Sequence, residues 1–302
     1  MTNSVYHTPV LFNESIDALN IPKSGVVIDV TFGGGGHSKE ILNRLGKKGI
    51  LVSFDQDDDA QANRLDDSRF ILVNSNFRFL INFIRFYDLM GVDAILADLG
   101  VSSHQFDTGD RGFSIREEGK LDMRMNRNAS LSAHKVINHY SEIDLFRIFN
   151  SYADLQNTKK VVYAISAQRK KAKIETTKEL VDLLSPLVPP QKQHQFLAQV
   201  FQAIRIEVND EMGALMDMLE QSSKVLKKGG RLVVISYHSI EDRIVKNFIR
   251  SGNFEGELDK DVYGVVTKPF DAINTKPIVP SDEELERNPR SRSAKMRIAV
   301  KN

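Results

Sequence analysis

The chain has no cysteine, no long apolar run and almost no net charge, and each absence limits what it can be. Without cysteine it cannot form a disulfide, a thiolate zinc site or a cysteine nucleophile, which fits a reducing compartment. No apolar stretch approaches the roughly 20 residues that a membrane-spanning helix requires. The N-terminal sequence also lacks the basic start and apolar run of a signal peptide. We therefore expect a cytoplasmic protein.

The formal net charge is only +1, so the overall balance does not indicate whether nucleic acid is a partner. The basic residues are nevertheless unevenly placed. Residues 111–173 contain 13 Lys/Arg and 6 Asp/Glu, and from Arg287 to the end there are six basic residues and no acid. Segments of this kind can contact phosphates. A basic run such as residues 169–173 can equally be a solvated face.

The first hundred residues alternate between strand-like and helix-like patterns. With 302 residues, 41% of them hydrophobic, the chain can form one large domain or two ordinary ones. Short apolar runs predict buried strands, and apolar residues at helical spacing predict helices between them. The predicted strands are 26–30, 50–54, 70–73 and 94–97, and the predicted helices are 38–45, 57–65 and 79–90. Repeated βα units predict a parallel sheet with helices on both faces.

The pattern changes after residue 106. Residues 107–130 are polar and loop-like, and residues 132–204 show helical spacing only. Further helices and strands are then predicted at 210–227 (helix), 231–236 (strand), 240–249 (helix) and 296–300 (strand). The simplest organisation is one α/β domain, formed by residues 1–106 and 206–302, that is interrupted by a helical insertion at 107–205.

A glycine-rich turn, Gly33-Gly34-Gly35-Gly36, joins the first strand to the first predicted helix. Glycines let a ligand approach the backbone closely, and a helix N-terminus offers unpaired N–H groups. Asp55 ends the next strand, where dinucleotide-type folds hold a carboxylate for ribose hydroxyls. The pair predicts a nucleoside-containing cofactor. NAD is a less favoured cofactor, because Ser38 or Lys39 occupies the place of the third glycine in the NAD-binding fingerprint. It nevertheless stays open. A turn without any ligand also stays open.

Asp98 follows the strand at 94–97. Ligands of open α/β sheets lie at the carboxyl ends of the strands, so Asp98 is expected beside the same crevice as Gly35 and Asp55. A single aspartate at a strand end is more often a helix cap or a turn residue. Three such features on successive strand ends favour a binding site.

Several motifs together resemble the bacterial small-subunit rRNA (cytosine-N4)-methyltransferase family, also called MraW or RsmH. The matching segments, in chain order, are HTPV at 7–10, the glycine loop at 29–38, DLGVSS at 98–103, RGFS at 111–114, LDMRM at 121–125, RIEVN at 205–209, SYHSIEDR at 236–243 and NPRSRSAKMR at 288–297. Any one of them alone is weak evidence, but together they span almost the whole chain. The glycine loop departs slightly from the family pattern, with Val30-Thr31 and Gly33-Gly34 where many relatives have Gly-Thr and Gly-x.

The resemblance implies a Rossmann-like α/β methyltransferase sheet with an inserted all-helical domain for substrate recognition. It also implies methyl transfer from S-adenosylmethionine (AdoMet) to the exocyclic N4 of a cytosine in 16S rRNA. The residues that it implies as AdoMet contacts are Gly35, Gly36, His37, Asp55, Phe77, Asp98 and Gln105. The expected partner is small-subunit rRNA within an assembled or nearly assembled subunit. A homodimer stays open, and no metal ligand is assigned.

Asp98 and His238 are the candidate catalytic residues. The N4 amine of cytosine is a poor nucleophile, so hydrogen-bond acceptors that face it would help to take its proton. Residues 98–101 lack the Pro-Pro-aromatic core of the usual amino-methylating motif, so Asp98 contacts either the base or AdoMet alone. We favour AdoMet, with the carbonyls of Leu99 or Gly100 facing the base. His238 is a proton acceptor or a helix cap, and Tyr237 stacks on an unpaired base or packs in the core.

Arg290, Arg292 and Lys295 are the candidate RNA-binding residues, because the basic C-terminal segment also matches the family. The target base must leave its stack to reach AdoMet. One alternative is a methyltransferase of DNA or of a small molecule, and the basic segments argue only against the small molecule. Another is an RNA-binding assembly protein with a vestigial pocket, against which the intact glycine loop, Asp55 and Asp98 argue.

Overall fold

The computed structural model describes residues 9–153, 155, 157–260, 264 and 266–302. Half of the N-terminal HTPV motif, His7 and Thr8, lies outside the described residues. The chain divides into two compact units, Met1–Gly100 with Met212–Asn302, and Val101–Glu211. The units change at 100/101 and 211/212, whereas the sequence predicts the changes at 106/107 and 205/206.

The first unit holds a seven-stranded sheet, in the residues described, with the order β3-β2-β1-β4-β5-β7-β6. The strands are β1 Val26–Asp29, β2 Ile50–Asp55, β3 Phe70–Asn74, β4 Val92–Asp98, β5 Leu226–Ser236, β6 Phe270–Ala272 and β7 Lys295–Lys301. Strands β1 to β5 pair in parallel, as predicted. β7 runs antiparallel to both of its neighbours, β5 and β6, so the prediction of a parallel sheet does not extend to the last strand.

Apolar side chains cover both faces of the parallel part of the sheet. Along β1, Val27 joins one core cluster and Ile28 the other, and Leu51 and Val52 alternate in the same way along β2. Successive side chains of a strand point to opposite faces, so a continuous apolar run is what a sheet covered on both sides requires. This burial explains why the first strands were predictable from the sequence.

The described residues contain twelve α-helices. They are α1 Phe12–Ala18, α2 Gly36–Arg44, α3 Leu80–Phe86, α4 Ser103–Asp107, α5 Ala133–His139, α6 Glu142–Tyr152, α7 Thr158–Arg169, α8 Thr177–Leu184, α9 Pro190–Asn209, α10 Glu211–Val225, α11 Ser239–Ser251 and α12 Asp282–Arg287. Among the residues described, none of them is long and apolar enough to cross a membrane.

Two helices differ from their predicted form. The predicted helix at 57–65 is a short 3-10 helix, Asp58–Asn63, that begins at the Asp57 side chain. The predicted helix at 79–90 ends at Phe86, because Asp88 adopts a left-handed backbone with φ of 56° that an α-helix cannot continue. The sequence did not predict α1, α12 or β6, which are too short to show a clear period.

In the described residues of the second unit the regular elements are helices, apart from an isolated bridge between Lys120 and Thr176, and residues 112–132 form no helix. Both features agree with the prediction of a loop-like segment followed by helices. The core of this unit is apolar and gathers side chains from α5, α6, α7 and α9. Representative members, all fully buried, are Val136, Ile148, Phe149, Val161, Ile165, Val200 and Ile204.

Two motifs of the family resemblance hold this unit together. The Asn209 amide donates to the Met123 carbonyl, and its oxygen accepts the Met125 N–H, both at 2.8 Å. Met123 itself has φ of 59°, an uncommon conformation that these bonds support. Arg205 donates to both carboxylate oxygens of Glu211, at 2.8 and 3.0 Å. Hydrogen bonds from Asn209 therefore join the RIEVN motif to the LDMRM motif.

Candidate active site

The glycine loop connects the end of β1 to the start of α2. Gly35 precedes α2 with φ of 76°, and a Cβ there would lie 3.0 Å from the Phe32 ring. At Gly36 a Cβ would lie 2.5 Å from Cγ of Pro9, which is closer than real atoms approach. Only glycine satisfies both positions. Because Gly35 has no side chain, the N-terminus of α2 has no side-chain cap and can face a ligand.

Asp29 is a buried carboxylate that shapes this loop, and it is not among the site residues predicted from the sequence. It accepts hydrogen bonds from the Ser38 hydroxyl at 2.7 Å and from the Thr31 N–H at 3.1 Å. Ser38 in turn lies 2.7 Å from the hydroxyl of Ser53. Burial raises the pKa of Asp29, against the lowering effect of its hydrogen bonds. The sequence feature that could have predicted Asp29 as a site residue is its position as an acid within an apolar, strand-like run.

Asp55 ends β2 and contacts the glycine loop directly. Its two carboxylate oxygens accept the N–H groups of Gly33 and Asp57, each at 2.8 Å. Burial raises the pKa of Asp55 to about 6, although both hydrogen bonds act in the opposite direction. A carboxylate has about four acceptor positions, so two remain for a ligand. The structure thus brings Asp55 and the glycine loop together, as predicted.

Asp98 ends β4 and belongs to the same cluster. Its backbone N–H donates to the Thr31 hydroxyl at 2.8 Å, which ties it to the loop after β1. The Tyr237 hydroxyl donates to Oδ1 of Asp98 at 2.7 Å. Loss of solvent raises the pKa of Asp98 to about 7, and the charges of Asp29, Glu241 and Glu284 act in the same direction. The hydrogen bond from Tyr237 opposes that rise.

His37 is the neutral member of the cluster. It is 6% exposed, and burial lowers its pKa to about 4. Its Nδ1 lies 3.9 Å from Oδ2 of Asp98, but an uncharged imidazole cannot balance that carboxylate. Its Nε2 is buried and has no hydrogen-bond partner among the described residues. A ligand that offers a polar atom here would satisfy this nitrogen.

The segment after β5 supplies Tyr237 and His238. The Glu241 N–H donates to Nδ1 of His238 at 3.4 Å, so His238 caps α11, and Glu241 accepts the Tyr237 N–H at 2.8 Å. The cap role that the sequence left open for His238 is therefore present, while its catalytic role stays a prediction. The bond from Tyr237 to Asp98 was missed, because no spacing along the chain reports a contact between residues 139 apart.

Two predicted AdoMet contacts lie on different elements. Phe77 begins a short 3-10 helix, Phe77–Phe79, after β3, and packs half-buried against the core of the first unit. Gln105 lies in the second unit, where its side chain accepts the Ser102 N–H at 3.1 Å and forms a capping box of α4. The contact of either residue with AdoMet stays a prediction.

The predicted RNA-binding residues lie before and at the start of β7. Arg290 and Arg292 are exposed on the 3-10 helix Pro289–Ser293. Lys295 begins β7, with its Nζ 3.9 Å from Asp242. Arg297 of the same segment is buried and donates to both carboxylate oxygens of Asp242, at 2.6 and 3.1 Å. Arg297 therefore has a structural role.

A sequence model of the MraW methylase family matches residues 4–302. The ribosomal RNA small subunit methyltransferase H of Phocaeicola vulgatus is 55% identical over 297 residues, which cover 98% of each chain. The protein of the same name from Christiangramia forsetii is 54% identical over 296 residues, again 98% of each chain. Among solved structures, a putative rRNA-methylase from Clostridium thermocellum covers 98% of this chain and 100% of its own, with 14% identity and a TM-score of 0.47.

Proposed function

The chain belongs to the MraW methylase family, and on that premise we propose that it transfers a methyl group from AdoMet to the exocyclic N4 of a cytosine in 16S rRNA. One observation carries the proposal. The glycine loop, Asp55 and Asp98 are joined by direct hydrogen bonds at the carboxyl ends of adjacent parallel strands. Ligands of open α/β sheets bind at that edge.

The charges of this site fit AdoMet. Among the described residues, no lysine or arginine pairs with Asp29, Asp55 or Asp98, and His37 is neutral. AdoMet carries a sulfonium and an ammonium group, which such a site attracts. NAD carries two phosphates, which the same carboxylates repel. When bound, AdoMet supplies an electrophilic methyl group on its sulfonium.

Each predicted contact has a physical role in this proposal. Asp55 uses its two remaining acceptor positions for ribose hydroxyls, and the backbone at Gly35 and Gly36 lets the ligand approach closely. His37 offers its unpartnered Nε2. Phe77, at the carboxyl end of β3, packs on the adenine.

Methyl transfer to N4 needs close in-line alignment and an acceptor for the proton that N4 releases. Asp98 holds the methyl donor, and Tyr237 orients its carboxylate through the 2.7 Å hydrogen bond. The carbonyls of Leu99 or Gly100 accept hydrogen bonds from the amine. Nδ1 of His238 accepts the cap hydrogen bond of α11, and its Nε2 lies 3.2 Å from Oε1 of Glu241, so any proton transfer would use Nε2 beside that carboxylate.

The RNA is held outside this cluster. Arg290, Arg292 and Lys295 contact its phosphates, and the helical insertion, residues 107–205, recognises the substrate. The target cytosine leaves its stack before it reacts. The enzyme works in the cytoplasm on small-subunit rRNA in an assembled or nearly assembled subunit.

Two measurements test the function. Calorimetry is expected to detect AdoMet binding to the wild type and weaker binding to Asp55→Ala, with the exposed Asp66→Ala as a matched control. Mass mapping of small-subunit rRNA from cells lacking the gene is expected to show one cytosine that gains an N4 methyl group when the protein and AdoMet are added. No AdoMet binding, or a methyl group on another base, would contradict the proposal.

A further inference from the structure

Helix α7 of the second unit has one face in the core and one in solvent. Val161, Val162 and Ile165 are buried. The opposite side, together with the turn that follows the helix, we call the α7 face; it consists of Lys159, Lys160, Tyr163, Ala167, Lys170 and Lys171. At 3.6 residues per turn the four positions within α7 fall within about a third of the helix circumference, and Lys170 and Lys171 follow in the turn after Arg169. All except Ala167 are exposed, and none is acidic.

Tyr163 stands out on this face because its side chain is 77% exposed. Lys159 and Lys160 lie four and three residues before it, which places them beside its ring on the helix surface. A single exposed aromatic residue needs no explanation on its own. A tyrosine in the middle of a lysine surface has the chemistry of a stacking platform for a base.

Four exposed lysines of the second unit lie together on the α7 face, while Arg116, Lys120, Lys135 and Lys173 of the basic segment 111–173 are exposed elsewhere. Four arginines elsewhere in the basic segment 111–173 are used within the fold. They are Arg111, bonded to the carbonyls of Arg124 and Met125; Arg124, bonded to Asp122; Arg147, bonded to Glu207; and Arg169, bonded to the carbonyls of Ile137 and Tyr140. In the part of the chain that the structure describes, the four lysines of the α7 face form no ion pair.

We propose that the α7 face binds a single-stranded segment of RNA, with its lysines on the phosphates and Tyr163 stacked on one unpaired base. From Lys159 to Arg169 the helix rises about 15 Å, which gives room for about four stacked nucleotides. A duplex offers no free base to Tyr163, which is why the segment is single-stranded. The face carries one aromatic side chain and no aliphatic one larger than the methyl group of Ala167, so it does not suit insertion into a lipid surface. This inference rests on the proposed function, which supplies RNA as the substrate.

The test is the affinity of the full chain for a short labelled single-stranded RNA, measured by fluorescence anisotropy over a range of salt concentrations. Tyr163→Ala is expected to weaken binding roughly 5- to 150-fold, whereas Tyr163→Phe, which keeps the stacking ring, stays near the wild type. Lys159→Gln with Lys160→Gln is expected to lower the slope of log affinity against log salt by about 1.4. The matched control is Lys47→Gln with Lys48→Gln, two exposed lysines of the first unit.

Unchanged RNA affinity in Tyr163→Ala, or an equal loss in the Lys47/Lys48 control, would overturn the proposal. So would binding of the wild type to anionic lipid vesicles but not to RNA. Calorimetry with AdoMet separates this inference from the proposed function. The α7 variants are expected to bind AdoMet like the wild type and to methylate rRNA with a raised KM and an unchanged kcat. If the wild type binds no AdoMet, the proposed function fails, while the RNA measurement still decides the role of the α7 face.

Discussion

Asp29, Asp55 and Asp98 end three adjacent strands, and in the described region no lysine or arginine pairs with any of them. Burial raises the pKa of each, to about 6 for Asp55 and about 7 for Asp98. Carboxyl groups with raised pKa values and no cationic partner favour either a proton or a positively charged ligand. A ligand that binds these carboxyl groups is therefore expected to bind with an affinity that depends on pH.

This dependence on pH gives a prediction for AdoMet binding. As the pH falls through 7 and then 6, Asp98 and Asp55 take up protons and lose the charge that attracts AdoMet. Its affinity is expected to drop by roughly tenfold or more between about pH 8 and about pH 5. Titration calorimetry across that range measures the change. S-adenosylhomocysteine, which lacks the sulfonium charge, is expected to show a weaker dependence. Equal pH profiles for the two ligands would argue against the electrostatic account.

Tyr237 is a positioning residue for Asp98 in this scheme. Its hydrogen bond lowers the pKa of Asp98, so Tyr237→Phe is expected to raise that pKa and to move the acidic limb of kcat/KM to higher pH. The loss of a hydrogen bond to a charged group is expected to reduce kcat/KM at neutral pH by about 10- to 100-fold. Tyr163→Phe, on the exposed α7 face, is the control. A lower rate with an unmoved limb would mean that Tyr237 does not act through Asp98.

At the scale of elements, the burial of a strand decides whether its position could be predicted from the sequence. Strands β1 to β4 are apolar because helices cover both faces of the sheet, so their positions were predictable to within about two residues. The start of β5 was missed, because Lys227 and Lys228 lie at its polar end. The antiparallel insertion of β7 between β5 and β6 depends on long-range pairing that no local pattern reports.

The same distinction applies to the site. Asp55 and Asp98 were predictable because each ends a recognisable strand. The Tyr237–Asp98 bond was not, since it joins the last residue of β4 to the residue after β5, and only the order of the sheet makes these two strands neighbours. The SYHSIEDR motif did not decide between the two roles of His238, and the structure shows that its Nδ1 caps α11.

A substitution of Asn209 tests whether the hydrogen bonds of the RIEVN motif stabilise the second unit. The Asn209 amide bonds to Met123, Met125 and Arg205, so it fastens the end of α9 to the loop before α5. Asn209→Ala leaves partly buried backbone groups without partners and is expected to lower the free energy of unfolding by about 2 kcal/mol or more. Urea denaturation measures the loss. The exposed Asn150→Ala, on α6, is the control and is expected to stay near the wild type. Equal stability of the two variants would show that these bonds do not stabilise the fold.

Over the whole molecule, a net charge of +1 conceals an uneven distribution of basic residues along the chain. The first unit holds carboxylates at the strand ends that, among the described residues, have no lysine or arginine partner. The exposed Arg290 and Arg292 lie on a different element, the 3-10 helix Pro289–Ser293. In the proposed function, the cationic methyl donor and the anionic RNA therefore bind at oppositely charged regions. This separation predicts that affinity for one ligand can be lost without the other.

Arg290→Ala with Arg292→Ala tests that separation. The double variant is expected to weaken binding of small-subunit rRNA and to lower the slope of log affinity against log salt by about 1.4 to 1.8, because two phosphate contacts are lost. AdoMet affinity, measured by calorimetry on the same preparation, is expected to stay within about twofold of the wild type, since neither arginine belongs to the strand-end cluster. The Lys47→Ala, Lys48→Ala variant removes the same charge from another surface. A parallel loss of RNA and AdoMet binding would mean that the two arginines support the fold, because the loss of a phosphate contact alone does not change the affinity for AdoMet.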